Sequence, residues 1–272
     1  MPQEQQAWPP IEIEGMDAPD MAMKRLYAWY ENEIIDRPPV RFIAHNAFLE
    51  AATEDISGLS PQEKKAWWFD VETQVDLFVQ SIEGRKFNGE TFPVYFPNLG
   101  PDVYAAFYGA ELVFGEVTSW SIPLVQDWDD MTKIKLDTNN IYFRKLEELT
   151  AHALQRCIGK FLVGYTDLHP GLDCVAAWRD PQQLCIDMID EPEKVKQLAA
   201  LSIADFRLIY DHFDKILKDH NQLSVSWMGI PSHGKMHIPS CDFSTMISPA
   251  FFKTFGLPVL AYEVQTMTHN IF

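Results

Sequence analysis

Hydrophobic positions along the chain fall into two alternating spacings. Leu26, Trp29 and Tyr30 form a helical stripe that predicts a first helix over 21–33, and Asp36-Arg37-Pro38-Pro39 breaks it. Val40 to Ala44 reads as a short strand ending at the polar pair His45-Asn46. Ser60-Pro61-Gln62-Glu63 has capping-box spacing with proline at the first helical position, predicting a single helix that ends near Gly84. The run 92–97 reads as a second strand, followed by Asn98-Leu99-Gly100-Pro101 and a short helix near 103–108.

A third strand is predicted near 112–118, and a helix from 139 toward 158. The apolar run 161–166 reads as a buried strand with the polar exit Asp167-Leu168-His169-Pro170-Gly171. Helices over 181–189 and 191–220 come next, then a fifth strand at 223–227. A last helix opens at Ser248-Pro249 and runs to about Met267 with a break at Pro258, and 270–272 begins a sixth strand. Residues 1–20 carry Pro2, Pro9, Pro10 and Pro19 without periodicity and read as a loose arm, leaving 21–272 as the folded unit.

Strand, polar loop and helix in repeated succession imply a parallel sheet with right-handed crossovers. The expected class is α/β, a (β/α)8 barrel with polar residues gathered at the strand ends. A doubly wound open sheet is the rival, but the chain has neither a G-x-G-x-x-G nor a G-x-x-x-x-G-K-[ST] turn.

Composition narrows the function classes. The 272 residues are 47% hydrophobic and 22% charged, an ordinary globular balance. The net charge of −17 repels phosphates and anionic lipid faces, so neither nucleic acid nor membrane is an expected partner. The four cysteines, at 157, 174, 185 and 241, include no C-x-x-C pair, and Met1 to Gly15 holds no basic segment leading into an apolar one. A reduced, cytoplasmic setting is expected, with Cys157, Cys174 and Cys185 as buried thiols.

Candidate chemistry collects after the predicted strands. His45 and Asn46 end the first strand, where barrel active sites gather, although loop residues bonded to nearby backbone would look the same. Asn98 suits a ligand contact or an Asx-type turn before Gly100. Asp167, His169 and Asp173 suit a general acid and base set, because a carboxylate orients an imidazole and raises its pKa; shaping the Pro170-Gly171 loop is the alternative. Trp227 and Met228 could line the face of a flat ligand or simply fill the core. His237-x-x-x-Cys241 has metal-ligand residue types, but Pro239 spoils helical spacing and a tetrahedral site needs three protein ligands. No metal ligand is therefore assigned, and Cys241-Asp242 is placed at the mouth of a cleft.

Four stretches resemble the uroporphyrinogen decarboxylase superfamily: Asp36-Arg-Pro-Pro-Val40, Phe96-Pro-Asn-Leu-Gly100, Gly164-Tyr-Thr-Asp-Leu-His-Pro-Gly-Leu172, and Cys241-Asp-Phe-Ser-Thr-Met-Ile-Ser-Pro249 leading to Leu257-Pro258. The resemblance runs from about residue 20 to the end. It implies a (β/α)8 barrel and one of two chemistries, decarboxylation of uroporphyrinogen or methyl transfer between a corrinoid and a thiol at a zinc site.

The decarboxylase motif P-x-W-x-M-R-Q-A-G-R, laid from Pro39, puts Ala44 and Phe48 where the arginines that hold substrate carboxylates belong. The aspartate that binds pyrrole N–H groups falls on Asn98, and the family's active-site tyrosine falls on Val175. Four changed positions in three motifs point to the methyltransferase branch, whose zinc lowers the pKa of an incoming thiol. A corrinoid or corrinoid protein and a small thiol would be the partners, and a homodimer is compatible. That branch carries a His-x-Cys on the strand after the Ser-Pro-opened helix, which the resemblance would place just beyond Phe272. The chain is accordingly expected to hold about five to six of the eight strands of the barrel, as a C-terminally truncated portion whose zinc and corrinoid belong to the full-length protein. A decarboxylase of a tetrapyrrole or small carboxylic acid, and a corrinoid-binding barrel without catalysis, are the two alternatives.

Overall fold

The computed structural model describes residues 10–42 and 55–272. Proline at the first turn opens α1 (Pro19–Tyr30), which buries Ala22, Met23 and Leu26. The capping box forms at α2 (Pro61–Trp68): the Ser60 hydroxyl accepts from the Glu63 N–H at 3.4 Å, and the Glu63 carboxylate accepts from the Ser60 N–H at 2.8 Å. The predicted single helix stops there, because Asp70 accepts from the Thr73 N–H and starts α3 (Val71–Ile82) as a second segment. Replacing Ser60 by alanine is expected to cost about 1 kcal/mol. A urea titration with an unchanged slope and a lower midpoint would register it, and an unmoved midpoint would show that the box does not hold α2.

β1 (Val94–Tyr95) leads through Asn98 into α4 (Val103–Ala106). The third predicted strand is instead one arm of an antiparallel hairpin, β2 (Glu111–Phe114) with β3 (Ser119–Ile122). Its outer positions are Trp120 and Ile122, while Ser119 turns inward to donate to the Leu99 carbonyl at 2.6 Å. Gly100 has φ +95°, and a Cβ there would stand 1.9 Å from the Ser119 hydroxyl, so this approach of the two loops requires glycine.

α5 (Ile141–Arg156) is capped by the Asn140 side chain and precedes β4 (Leu162–Val163). Then come α6 (Leu172–Arg179), α7 (Pro181–Asp190), α8 (Pro192–Ala204) and α9 (Phe206–Asp219). The predicted helix over 191–220 is two helices, because the Tyr104 hydroxyl donates to the Ser202 carbonyl at 2.7 Å and takes the acceptor that a continuous helix would offer to Phe206. β5 (Met236–His237) was not predicted. α10 (Pro249–Phe251) and α11 (Leu257–Glu263) flank a π-helical turn at Phe252–Gly256, which absorbs the missing N–H of Pro258, and β6 (His269–Asn270) follows.

β1 and β4 pair in parallel, as do β5 and β6. Tyr165 N–H donates to the Val225 carbonyl at 2.9 Å, and Ser224 bridges Ser232 and bonds the Met236 N–H, so the chain order across this arc is 94, 162, 225, 236, 269. The segment predicted as the fifth strand takes part through these bonds and the Ser226 hydroxyl, which donates to the Tyr165 carbonyl at 3.2 Å, without forming a regular strand. The result is a mixed α/β fold with short parallel strands, and the described strands do not close into a barrel.

Strand alternation separates two cores. Tyr95, Val163 and Tyr165 pack with α3, α5, α6 and α9, whereas Phe92, Val94, Leu162 and Val225 pack with Ile13, Met16 and α1. Residues 11–18, counted with the arm in the sequence reading, lie on this second face, where the Glu14 N–H bonds the Gly159 carbonyl.

Candidate functional site

The loop leaving β4 and the first turn of α6 bring Asp167, His169 and Asp173 together. His169 Nε2 lies 2.7 Å from Asp167 Oδ2, and Nδ1 lies 3.5 Å from Asp173 Oδ2. Burial opposes a charge on this imidazole, but the bonds to Asp167 and Asp173 outweigh it and raise its pKa from 6.5 to about 10. His169 is therefore held protonated between two carboxylates at neutral pH.

Asp173 has a second task. Its carboxylate accepts from the backbone N–H groups of Asp242 at 3.0 Å and Phe243 at 2.8 Å, tying the 3-10 turn at Asp242–Met246 to α6. Asp242 is exposed, but Cys241 is buried rather than at a cleft mouth. Burial first, then the charge of Asp173, pushes the Cys241 thiol up to about 12, which leaves it a poor nucleophile.

Next to this set lies a pair the sequence reading missed. His237 Nε2 and Glu263 Oε1 are 2.5 Å apart, and each side chain is about 1% exposed. The Tyr165 hydroxyl donates to the Met236 carbonyl at 2.9 Å, so its oxygen is free to accept from His237 Nδ1–H at 3.3 Å. Burial pulls His237 down to about 3, aided by the charge on His169, while burial pushes the Glu263 carboxyl well above its usual range. The imidazole is therefore neutral and the carboxyl keeps its proton, so neither partner is charged. His237 was considered only as a metal ligand; its position two residues before Pro239 gave no sign of a partner on α11.

The remaining candidates are dispersed. Asn98 Oδ1 accepts from the Gly100 N–H at 2.8 Å, an Asx turn. Trp227 is 45% exposed and Met228 partly so, in the turn after Val225. Val175 is buried in α6. His45, Asn46, Ala44 and Phe48 lie outside the described residues. Cys157 and Cys174 are buried as expected, but Cys185 is partly exposed on α7. Among the described residues no three His, Cys, Asp or Glu side chains are placed to hold a metal ion. Two recesses, of about 310 and 430 Å³, are lined by Tyr108, Leu136 and Asp205 and by Gln126, Arg179 and Gln183, away from the candidate set.

No family model matches the chain, and no curated protein matches it. Among solved structures, a methyltransferase from Methanosarcina mazei has a similar fold, with a TM-score of 0.61 at 11% sequence identity over 91% of this chain and 67% of that one. The two chains share a mixed α/β architecture. No helix among the described residues is long and apolar enough to cross a membrane.

Proposed function

We propose that this chain is a (β/α)8-barrel unit of the uroporphyrinogen decarboxylase superfamily that serves methyl transfer from a corrinoid to a thiol in the cytoplasm. The observation that carries the reading is the fold likeness to a methyltransferase across nearly the whole chain. The parallel order 94, 162, 225, 236, 269, with polar residues after successive strands, supports the barrel assignment.

The described residues do not fit zinc. His237 is engaged by Glu263 and Tyr165, and the Cys241 proton is held by burial. What this chain supplies is a proton-handling pair, with Asp167 as the partly exposed acceptor for a proton released by the thiol and His169 holding that carboxylate in place. Trp227 offers an exposed aromatic face to a flat cofactor.

Incubation of the protein with methylcobalamin and a small thiol, followed by cobalamin absorbance and detection of the methyl thioether, tests the proposal. Thioether formation is the expected result, and unchanged methylcobalamin with no thioether overturns it.

The protonated state of His169 favours a second reading. Decarboxylation ends with delivery of a proton to carbon, and a buried imidazolium beside two carboxylates is an acid suited to that step. Formation of coproporphyrinogen from uroporphyrinogen would establish it.

A further inference from the structure

The arginines in and just after α1 are not equivalent. Arg25 bonds Asp36 at 2.7 Å and Glu90 at 3.1 Å, and Arg37 bonds the fully buried Glu90 at 2.8 Å. Arg41, four residues further on, has no such partner among the described residues. Its Nε is buried without a hydrogen-bond acceptor, and no acidic side chain raises its proton affinity, so burial alone acts on it and lowers it. In a chain of net charge −17 this is a conspicuous vacancy in the pairing of charges.

The surroundings of the guanidinium are specific. The Arg41 backbone is fixed by an isolated antiparallel bridge to Gly89. A Cβ built on Gly229, which has φ +60°, would stand 2.8 Å from Arg41 Nη2 and 3.7 Å from Val94 Cγ2. The guanidinium thus rests against the Gly229 backbone beside Val94. Val94 belongs to the sheet face turned away from α3, α5 and α6, and Gly229 directly follows Trp227-Met228. Any side chain at 229 would push the guanidinium out. A half-buried cation without a counter-ion is costly, and a planar fork with unused N–H donors matches an oxyanion in bidentate geometry.

We propose that Arg41, seated on Gly229, binds the oxyanion group, carboxylate or phosphate, of a small ligand beside the exposed Trp227-Met228 turn. Arg41 is neither of the positions, 44 and 48, to which the family resemblance assigns carboxylate contacts, and the site stands whether or not the chain transfers methyl groups. The ligand replaces the missing acid, and its binding neutralises a charge that the free protein carries at a cost.

The test uses sodium acetate and inorganic phosphate as probes, each against sodium chloride at equal ionic strength, with thermal unfolding and the ¹⁵N–¹H resonance of Arg41 Nε as readouts. Saturable stabilisation by acetate or phosphate, with a shift of the Nε resonance, is expected, and the stronger of the two identifies the oxyanion class. Arg41→Met is expected to weaken binding at least tenfold while unfolding in chloride at the same or a higher temperature than the parent. Gly229→Ala is expected to weaken binding by displacing the guanidinium. An Nε resonance unmoved by both probes overturns the proposal, as does an Arg41→Met variant that melts earlier in chloride, which would mark Arg41 as a structural residue.

Discussion

Replacing Glu263 by alanine is expected to destabilise the protein by up to about 3 kcal/mol, the upper range for leaving a buried neutral polar partner unsatisfied. His237 and Glu263 are each about 1% exposed, so the imidazole left behind could not recover its bond from water. The same geometry predicts a much smaller effect for Glu263→Gln. A neutral pair has the protonated carboxyl donating to Nε2 while Nδ1–H is directed at Tyr165, and a glutamine amide reproduces that donation. Beside glutamine the buried imidazole stays neutral, because burial alone holds its pKa far below neutral pH. Urea unfolding of the two variants, followed by tryptophan fluorescence, tests this geometry: a cost of about 1 kcal/mol for glutamine is the expected result, and near-equal costs for the two variants would show that donation to His237 Nε2 is not what position 263 supplies. The double variant His237→Leu, Glu263→Leu should recover much of the loss, since apolar replacement of both partners leaves nothing unpaired.

What the sequence shows and what it hides follow one physical division. Local signals were legible. The Ser60 box, the Ser248-Pro249 start and the Asp36-Pro39 break each act within a few residues, and each is present. Signals that depend on distant partners were not. The break between α8 and α9 is set by Tyr104, 98 residues away in sequence. β3 has its large residues outward and its small polar Ser119 inward, which inverts the alternation that marks a strand. β5 is only two residues long, and its membership is fixed by β6 and by Ser224 rather than by any pattern of its own. The candidate site divides likewise. Asp167, His169 and Asp173 lie within one short stretch, so their proximity follows from the loop between β4 and α6. Glu263 reads on α11 as an ordinary solvent-facing acid, and only the packing of α11 against β5 buries it. Arg41 reads as one more surface arginine until Arg25 and Arg37 are seen to take the nearby acids.

The protonation of His169 predicts both a pH profile and a loss of turnover. A group whose pKa rises on folding stabilises the native state fully below its unfolded value and ceases to do so as pH climbs through the folded value. For His169 these limits are about 6.5 and about 10, so the native state should lose stability across that interval. His169→Gln should flatten this part of the profile, with the parent and variant melting curves converging toward pH 10. Asp167→Asn is the cleaner probe of the cause, because Asp173 also anchors the backbone of 242–243, whereas Asp167 accepts no backbone bond among the described residues. Loss of the 2.7 Å partner should lower the His169 pKa by about 1–3 units, read from the imidazole resonances. A value unchanged by Asp167→Asn would show that burial and Asp173 alone set the protonation. In the methyl-transfer assay, Asp167→Asn removes the acceptor and His169→Gln removes the charge that holds it, and each is expected to slow turnover by about 10²-fold or more. If Asp167 accepts the thiol proton, the loss in Asp167→Asn should shrink as pH rises and the thiol ionises unaided, whereas a pH-independent loss would reduce Asp167 to a residue that only positions His169.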